Sequence, residues 1–232
     1  RWPTPGRGAS FLRFGGVRRM PPVVRISNPG VRLNPTAPDL DLLARIEVLA
    51  DLEPIVDDLI AQHESKRELW FPSDLFGEEE EENPENWLAT IRKRAAGLPD
   101  PCRIAIALNL ITEEGLPHFH RLLAVHFGDE TFWRKWNNLW TAEEDRHGAV
   151  LHDYCRETRI LHTKSLEKLQ FDYLRGGFHP AWDSDPYRVF VYTTLQERAT
   201  QVSHFNTGKV AGQYEPQLEY ILTQVAADEA RH

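Results

Sequence analysis

Two short segments of the sequence each place a glutamate three residues before a histidine. Glu144 precedes His147 in "AEEDRHG", and Glu229 precedes His232 in "ADEARH". Residues at i and i+3 lie on one face of an α-helix, so the carboxylate and imidazole of each pair can bind the same ion. One such pair is weak support for a metal site, because surface salt bridges use the same spacing. Two such pairs support a metal site more strongly if other helices supply further candidate metal ligands.

Further acids lie in two other apolar segments with helical periodicity. Glu113 and Glu114 occur in "LNLITEEGLP", and Glu197 occurs in "VYTTLQERATQVSH". Burying carboxylates without a counter-charge costs several kcal/mol, which bound metal ions would offset. One glutamate from each of two helices plus Glu-x-x-His from each of two more is the ligand pattern of ferritin-like dinuclear proteins. We therefore predict a dinuclear centre, and its hard oxygen ligands favour iron or manganese.

Other polar residues near these segments allow simpler interpretations. His118 and His120 could suggest zinc, but residues two apart on a helix point in different directions. Thr200 lies one turn after Glu197, and a helical threonine often donates to its own backbone. His204 lies one turn further along the same face.

The surrounding sequence predicts an all-α protein. "VFVYTT" has strand propensity, but its helical continuation outweighs it. Pro54 is expected to kink or split the first helix. Long helices joined by short links predict a ferritin-like antiparallel four-helix bundle with extra helices. The predicted helical segments are 39–67, 85–97, 100–128, 129–159, 165–177, 185–212 and 215–232.

Composition narrows the class of protein. The chain has 232 residues and 41% hydrophobic residues, enough for a sizeable core. A net charge of −8 argues against nucleic acid as the main partner. The sequence contains no run of 18 apolar residues, so it predicts no membrane-spanning helix. Cys102 and Cys155 do not form a disulfide framework and indicate reduced cytoplasmic thiols.

The two ends lead to expectations about the natural protein. Residues 1–38 predict a disordered or extended arm, and 1–19 are rich in Arg, Gly and Pro. We expect the native start at Met20. Residues 39–232 form the predicted di-iron domain, which we expect to be incomplete at its C-terminus because His232 has no helix cap after it. The glutamates at 78–82 predict a solvated loop.

Five motifs together resemble one family. "ELWFPSDLF", "LITEEGLP", "WTAEEDRHG", "LQERATQVSHFNT" and "AADEARH" are similar to segments of the acyl-[acyl-carrier-protein] desaturases, soluble ferritin-like enzymes of plants and actinobacteria. The resemblance runs from about Leu42 to His232, and its spacing is closer to the actinobacterial type.

The resemblance implies a role for each matching residue. Glu113 and Glu197 would be terminal ligands, one on each iron, and Glu144 and Glu229 would bridge the irons. His147 and His232 would add one nitrogen each, whereas Glu114 and Glu143 would be neighbours that do not bind metal. Trp70 and Asp228 match a hydrogen-bonded path to a ligand histidine. Thr200 matches a position near the oxygen site. His204 would lie next to the ligands without binding metal itself.

The implied activity is the O2-dependent insertion of a cis double bond into a fatty acyl chain carried on acyl carrier protein. The resemblance also implies two iron ions as the cofactor, a ferredoxin-type protein as the electron donor, and a homodimeric assembly. Arg92, Lys93 and Arg94 are a candidate docking patch for the acidic carrier, although a solvated helix face is the simpler interpretation of these residues. The alternatives are another di-iron oxidase or hydroxylase, and a binding protein that has lost turnover.

Overall fold

The computed structural model describes residues 40–76, 83–128, 130–180 and 185–232, and every regular element in these ranges is helical. The prediction of an all-α, ferritin-like bundle is therefore confirmed. The predicted arm at 1–38 and the glutamates at 78–82 lie outside the described residues. The elements are α1 (Leu40–Lys66), a 3₁₀ helix (Pro72–Leu75), α2 (Pro84–Ala95), α3 (Asp100–Glu113), α4 (Leu116–Phe127), α5 (Phe132–Thr158), α6 (Thr163–Gly176), α7 (Pro186–Ala211) and α8 (Pro216–Glu229).

The predicted helix over 100–128 is wrong as a single element. It divides into α3, which ends at Glu113, and α4, which begins at Leu116. Pro117 has no N–H to donate to the carbonyl of Glu113, and its ring excludes a straight continuation. Pro117 instead occupies the first turn of α4, where proline is tolerated. Glu113 consequently lies in the last turn of a helix.

Two other ambiguous segments are helical throughout. Pro54 lies inside α1, which runs continuously over 27 residues, so the expected split does not occur. "VFVYTT" belongs to α7, as its helical continuation predicted. No helix among the described residues has the length and apolar character needed to cross a membrane.

The bundle is organised around α5. This helix contacts α1, α2, α3, α4 and α8, while α7 and α8 form the most extensive helix pair. Gly208 lets these two helices approach closely, because a Cβ there would lie 3.2 Å from the Cβ of Leu222. One core cluster includes Ile106, Leu110 and Leu151, and a second is largely aromatic. The inner faces of α3, α5, α7 and α8 carry the predicted ligands.

Candidate metal centre

The fold brings the six predicted ligands into two overlapping groups. Both groups contain Glu144 from α5 and Glu229 from α8, and within each group the ligand atoms lie within 4.8 Å of one another. The first group is Glu113, Glu144, His147 and Glu229, and the second is Glu144, Glu197, Glu229 and His232.

The distances separate shared from outer carboxylates. Glu144 directs Oε2 toward Nδ1 of His147 at 3.3 Å and Oε1 toward Nδ1 of His232 at 2.6 Å. Glu229 also divides its two oxygens between the same imidazole nitrogens, each at 3.7 Å. Glu144 and Glu229 therefore occupy the positions from which one carboxylate can reach two ions.

Each of the remaining two glutamates faces one of the two candidate histidine ligands. Oε2 of Glu113 lies 3.9 Å from Nδ1 of His147, and Oε2 of Glu197 lies 3.6 Å from Nδ1 of His232. These two carboxylates lie at opposite ends of the centre. The geometry is thus two outer glutamates, two shared glutamates and one imidazole at each end.

The charges within the centre strongly perturb its protonation. Burial raises the pKa of Glu229 well above its usual value, and the negative charge of Glu144 adds to that effect. For Glu144, burial acts in the same direction, but the imidazoles of His147 and His232 outweigh it and lower the pKa. Nearby carboxylates likewise overcome burial and raise the pKa of both histidines. The cluster therefore needs positive charge in its centre.

Several buried polar atoms of the centre face one another without forming a hydrogen bond of ordinary geometry among the described residues, including Oε1 of Glu144 and Nδ1 of His232 at 2.6 Å. They are Oε1 of Glu144, both carboxylate oxygens of Glu229, and Nδ1 of His147 and His232. Buried polar atoms are nearly always satisfied, so a group of unpartnered oxygens and nitrogens facing one another indicates a ligand between them. Four carboxylates with two imidazoles fit a pair of iron ions.

His147 is held from behind by a polar network. Its Nε2 lies 3.4 Å from Oδ2 of Asp228, and Arg146 donates to that same oxygen at 3.2 Å. Arg146 also donates to the carbonyl oxygen of Trp70 at 2.8 Å, and its guanidinium lies 4.6 Å from the centre of the Trp70 ring. The indole of Trp70 stacks with the imidazole of His147, with ring centres 6.0 Å apart. Trp70 and Asp228, which the resemblance placed on a path to a ligand histidine, thus both lie beside the candidate ligand His147.

His232 has a corresponding but different network. Its Nε2 lies 3.2 Å from Oε2 of Glu143, which also accepts from Nε2 of His63 at 2.8 Å. The guanidinium of Arg67 pairs with the other oxygen of Glu143. Burial alone would raise the pKa of Glu143, but hydrogen bonds from His232, Arg67 and His63 lower it to about 2.

The sequence assigned Glu143 no role beyond that of a neighbour. A signal was available, since Glu143 directly precedes Glu144 just as Asp228 directly precedes Glu229. Each preceding acid reaches across to the histidine of the other motif. His63 lies in the last turn of α1, and Arg67 directly follows that helix. Neither residue belongs to a motif, so only the fold could reveal them.

Thr200 and His204 lie on the inner face of α7. The hydroxyl of Thr200 donates to the carbonyl oxygens of Gln196 and Glu197 at 3.1 and 3.0 Å, as the simpler interpretation expected. Thr200 also lines a small cavity of about 20 Å³ that reaches Glu113 and Glu197. The buried imidazole of His204 donates from Nε2 to Oε1 of Glu113 at 2.8 Å.

A larger cavity of about 340 Å³ opens beside the second group of ligands. Glu197, Glu229 and His232 lie on one side of it, and the indoles of Trp136 and Trp140 form much of the apolar wall. The centre is thus connected to a space that is wider than the Thr200 cavity.

The remaining candidates serve local structure. His118 donates to the carbonyl oxygen of Leu174 at 2.7 Å, and His120 pairs with the hydroxyl of Thr141 at 2.7 Å, so the two imidazoles engage different partners. They do not combine into a metal site among the described residues.

Two arginines of the candidate docking patch also contact this chain. Arg92 donates to the carbonyl oxygen of Glu157 at 2.7 Å, and Arg94 donates to Oε1 of the fully buried Glu215 at 3.0 Å. Their charges are therefore partly used within the bundle.

Comparison with known proteins agrees with this geometry. The sequence model of the fatty acid desaturase family matches residues 44–232. Relatives include DesA1 of Mycobacterium tuberculosis strain H37Rv (33% identity over 82% of this chain and 58% of that protein) and acyl-[acyl-carrier-protein] desaturase 3, chloroplastic, of Oryza sativa subsp. japonica (34%, 99% and 62%). Stearoyl-[acyl-carrier-protein] 9-desaturase, chloroplastic, of Linum usitatissimum is 37% identical over 76% of this chain and 46% of its own length. The chain spans about half to three fifths of these relatives. The chain belongs to the fatty acid desaturase family.

Proposed function

We propose that residues 39–232 are the di-iron domain of an O2-dependent desaturase, which introduces a cis double bond into a fatty acyl chain carried on acyl carrier protein. The observation that carries this proposal is the pair of four-residue groups sharing Glu144 and Glu229. The names of the rice and flax relatives support the carrier-bound substrate.

The two metal ions would be iron, held by the six ligands described above. Iron with O2 supplies the oxidising power that removal of hydrogen from a methylene group needs and that no side chain provides. The protein contributes the positions of the ligands and a site from which water is excluded. Asp228 and Glu143 fix the orientation of the two imidazoles, and the buried helices keep water away from the carboxylates.

The surroundings of the centre suggest how the other components reach it. The apolar wall formed by Trp136 and Trp140 offers a surface along which a fatty chain can lie beside Glu197 and His232. The network from Trp70 through Arg146 and Asp228 to His147 offers a route for electrons. Thr200 lines the small cavity that reaches Glu113 and Glu197, and we propose that its hydroxyl turns from its own backbone carbonyls to donate a hydrogen bond beside the oxygen site.

The proposed partners are acyl carrier protein, a ferredoxin-type electron donor and a second copy of the chain. The carrier is acidic, so its docking surface must be basic, and Arg92, Lys93 and Arg94 remain candidates for it. Cys102 and Cys155 are free and buried, which fits the proposed cytoplasmic location.

The first experiment is to measure iron per chain after anaerobic loading with Fe²⁺, using Glu144→Ala as the control. We expect about two irons in the wild type and almost none in the variant. Iron in neither protein would overturn the metal centre.

The loaded protein would then be mixed with acyl carrier protein bearing a saturated chain, ferredoxin, a reductant and O2. Loss of two hydrogens from the acyl chain, measured by mass spectrometry, is the expected result. A gain of one oxygen would instead identify a hydroxylase. An unchanged chain with two irons bound would favour the non-catalytic binding protein.

A further inference from the structure

A chain of hydrogen bonds links the outer ligand Glu113 to a side chain that is not a candidate ligand. Oε1 of Glu113 accepts from Nε2 of His204 at 2.8 Å. On the other side of the imidazole, Nδ1 of His204 lies 3.2 Å from the amide nitrogen of Asn109. The amide oxygen of Asn109 accepts in turn from the hydroxyl of Ser203 at 2.8 Å. Glu113, His204 and Asn109 are buried, and His204 has no exposed surface.

The direction of this chain defines which nitrogen of His204 carries hydrogen. Because the oxygen of Asn109 accepts from Ser203, the NH2 group of Asn109 faces the imidazole. An amide NH2 only donates, so Nδ1 of His204 accepts. The hydrogen of the neutral imidazole therefore resides on Nε2 and is donated to Glu113.

The two carboxylate oxygens of Glu113 have different partners. Oε1 is engaged by His204, whereas Oε2 faces Nδ1 of His147 at 3.9 Å and belongs to the metal centre. The outer glutamate at the other end has no such support. Within the described part of the chain, the one ion pair of Glu197 is with His232, itself a candidate ligand.

We propose that Ser203, Asn109 and His204 are positioning residues that hold Glu113 in one fixed orientation toward the metal site. This inference rests on the proposed di-iron function, because it assigns Glu113 to the metal. It predicts an asymmetric centre, with a fixed outer carboxylate at the Glu113 end and a less restrained one at the Glu197 end.

The hydrogen-bond chain can be tested without metal. In the metal-free protein, ¹⁵N NMR of the histidine side chains, with His204 assigned by its loss in His204→Gln, distinguishes the two neutral forms of the imidazole. We expect the form with hydrogen on Nε2. Hydrogen on Nδ1 would overturn the proposal, because Asn109 could not then donate to that nitrogen.

The positioning role is tested by retention of Fe²⁺. Outer hydrogen-bond partners of metal ligands typically change metal affinity by about 10–100-fold. We expect His204→Phe to release one of two Fe²⁺ ions to a chelator at least about tenfold faster than the wild type. His204→Gln, whose amide nitrogen can replace Nε2 as the donor to Glu113, should restore most of the retention.

Asn109→Leu should show a smaller loss of Fe²⁺ retention than His204→Phe. Asn137→Leu is its matched control, since Asn137 is also a buried amide but donates to the carbonyl oxygen of His120. A purely structural role would make both asparagine variants alike and would leave His204→Gln as poor as His204→Phe, and either result would overturn the proposal.

The outcomes separate this inference from the proposed function. Two irons in the wild type without oxidation of the acyl chain would overturn the desaturase proposal and leave the positioning role intact. A wild-type protein that binds no Fe²⁺ would overturn the role of His204 toward a metal together with the ligand set, even if the Nε2–H form were observed.

Discussion

The two ends of the metal centre use the same sequence motif but are supported in different ways. The His147 half consists of His147 with Asp228, Arg146 and Trp70, and the His232 half consists of His232 with Glu143, Arg67 and His63. In the His147 half, Glu144 and His147 both lie in the middle of the 27-residue helix α5. In the His232 half, Glu229 is the last residue of α8, and the backbone N–H of His232 donates to the carbonyl oxygen of Asp228 at 3.2 Å, so Glu229 and His232 keep the helical spacing.

This difference shows what a short motif does and does not encode. The helix itself sets the direction of His147, because i and i+3 share a face. The backbone hydrogen bond from His232 to the carbonyl oxygen of Asp228 keeps the same helical spacing for His232. The halves differ in the acids beside the imidazoles. Asp228 pairs with Arg146 of α5, the residue next to His147, whereas Glu143 pairs with His63 of α1 and with Arg67, which directly follows that helix. The acid beside His232 therefore depends on a segment 76 to 80 residues earlier in the chain.

The largest effect is expected where the two halves meet. Glu229→Ala should remove both irons, because this carboxylate offers one oxygen to each half. Iron would be counted per chain after anaerobic loading. Glu219→Ala is the control on the same helix, since Glu219 pairs with the exposed Lys209 and should retain both irons. Retention of one iron in Glu229→Ala would contradict the shared position.

A second variant tests the link between the helices that carry the two halves. Glu215 caps the start of α8 by accepting from the backbone of Leu218 at 2.7 Å, and it also accepts from Arg94 and from Tyr154 of α5. Glu215→Ala should lower the free energy of unfolding by about 2–4 kcal/mol, because it removes a cap and leaves buried donors unpaired. Urea denaturation of the metal-free protein measures this change.

The surface pair between Lys209 and Glu219 provides the comparison for Glu215. Glu219→Ala should cost less than about 1 kcal/mol, because exposed ion pairs contribute little. Equal losses in Glu215→Ala and Glu219→Ala would show that α8 is not anchored by its N-cap residue.

A third variant separates the two halves directly. Arg67→Met keeps much of the side-chain volume but removes the charge that pairs with Glu143. It should weaken binding of one of two Fe²⁺ ions by about 10–100-fold and leave the other unchanged, because Arg67 acts through Glu143, which contacts only His232 of the two candidate histidine ligands. A stepwise Fe²⁺ titration measures both affinities.

The matched control for Arg67 is Arg156→Met. Arg156 forms its ion pairs on the exposed surface of α5, away from both histidines. This variant should bind both ions normally. Equal weakening of both ions in Arg67→Met would mean that the two halves are not independently supported.

The smallest effect concerns the core around α5, the helix that carries the His147 half. Burial, aided by the negative charge of Glu114, raises the pKa of the Cys155 thiol to about 12. The unfolded chain loses this proton near pH 8.5 while the folded chain retains it, so stability is lost as pH rises from there toward 12.

At pH 9.5 this group should lower the free energy of unfolding by about 1.4 kcal/mol relative to pH 7. Urea denaturation of the wild type and of Cys155→Ala at both pH values isolates the contribution. The same loss in both proteins would assign the pH effect to other groups.

The sequence by itself determined the helical class, the four ligand-bearing helices and the six candidate ligands. Apolar periodicity and the spacing of Glu144 with His147 are local properties, and local hydrogen bonding is sufficient to place such residues on one face of a helix. Pro117 was also visible, yet its consequence was missed because the flanking apolar pattern continues past it.

The tertiary structure decided which side chains contact the candidate ligands and their hydrogen-bond partners. Arg67 reaches Glu143 across 76 residues of sequence, and Asn109 reaches His204 across 95. No periodicity predicts such pairs, since they exist only where separate helices pack and where a buried polar group must find a partner. The sequence therefore specified the candidate ligands of the centre, whereas only the packing of α1, α3 and α7 specified which side chains contact them.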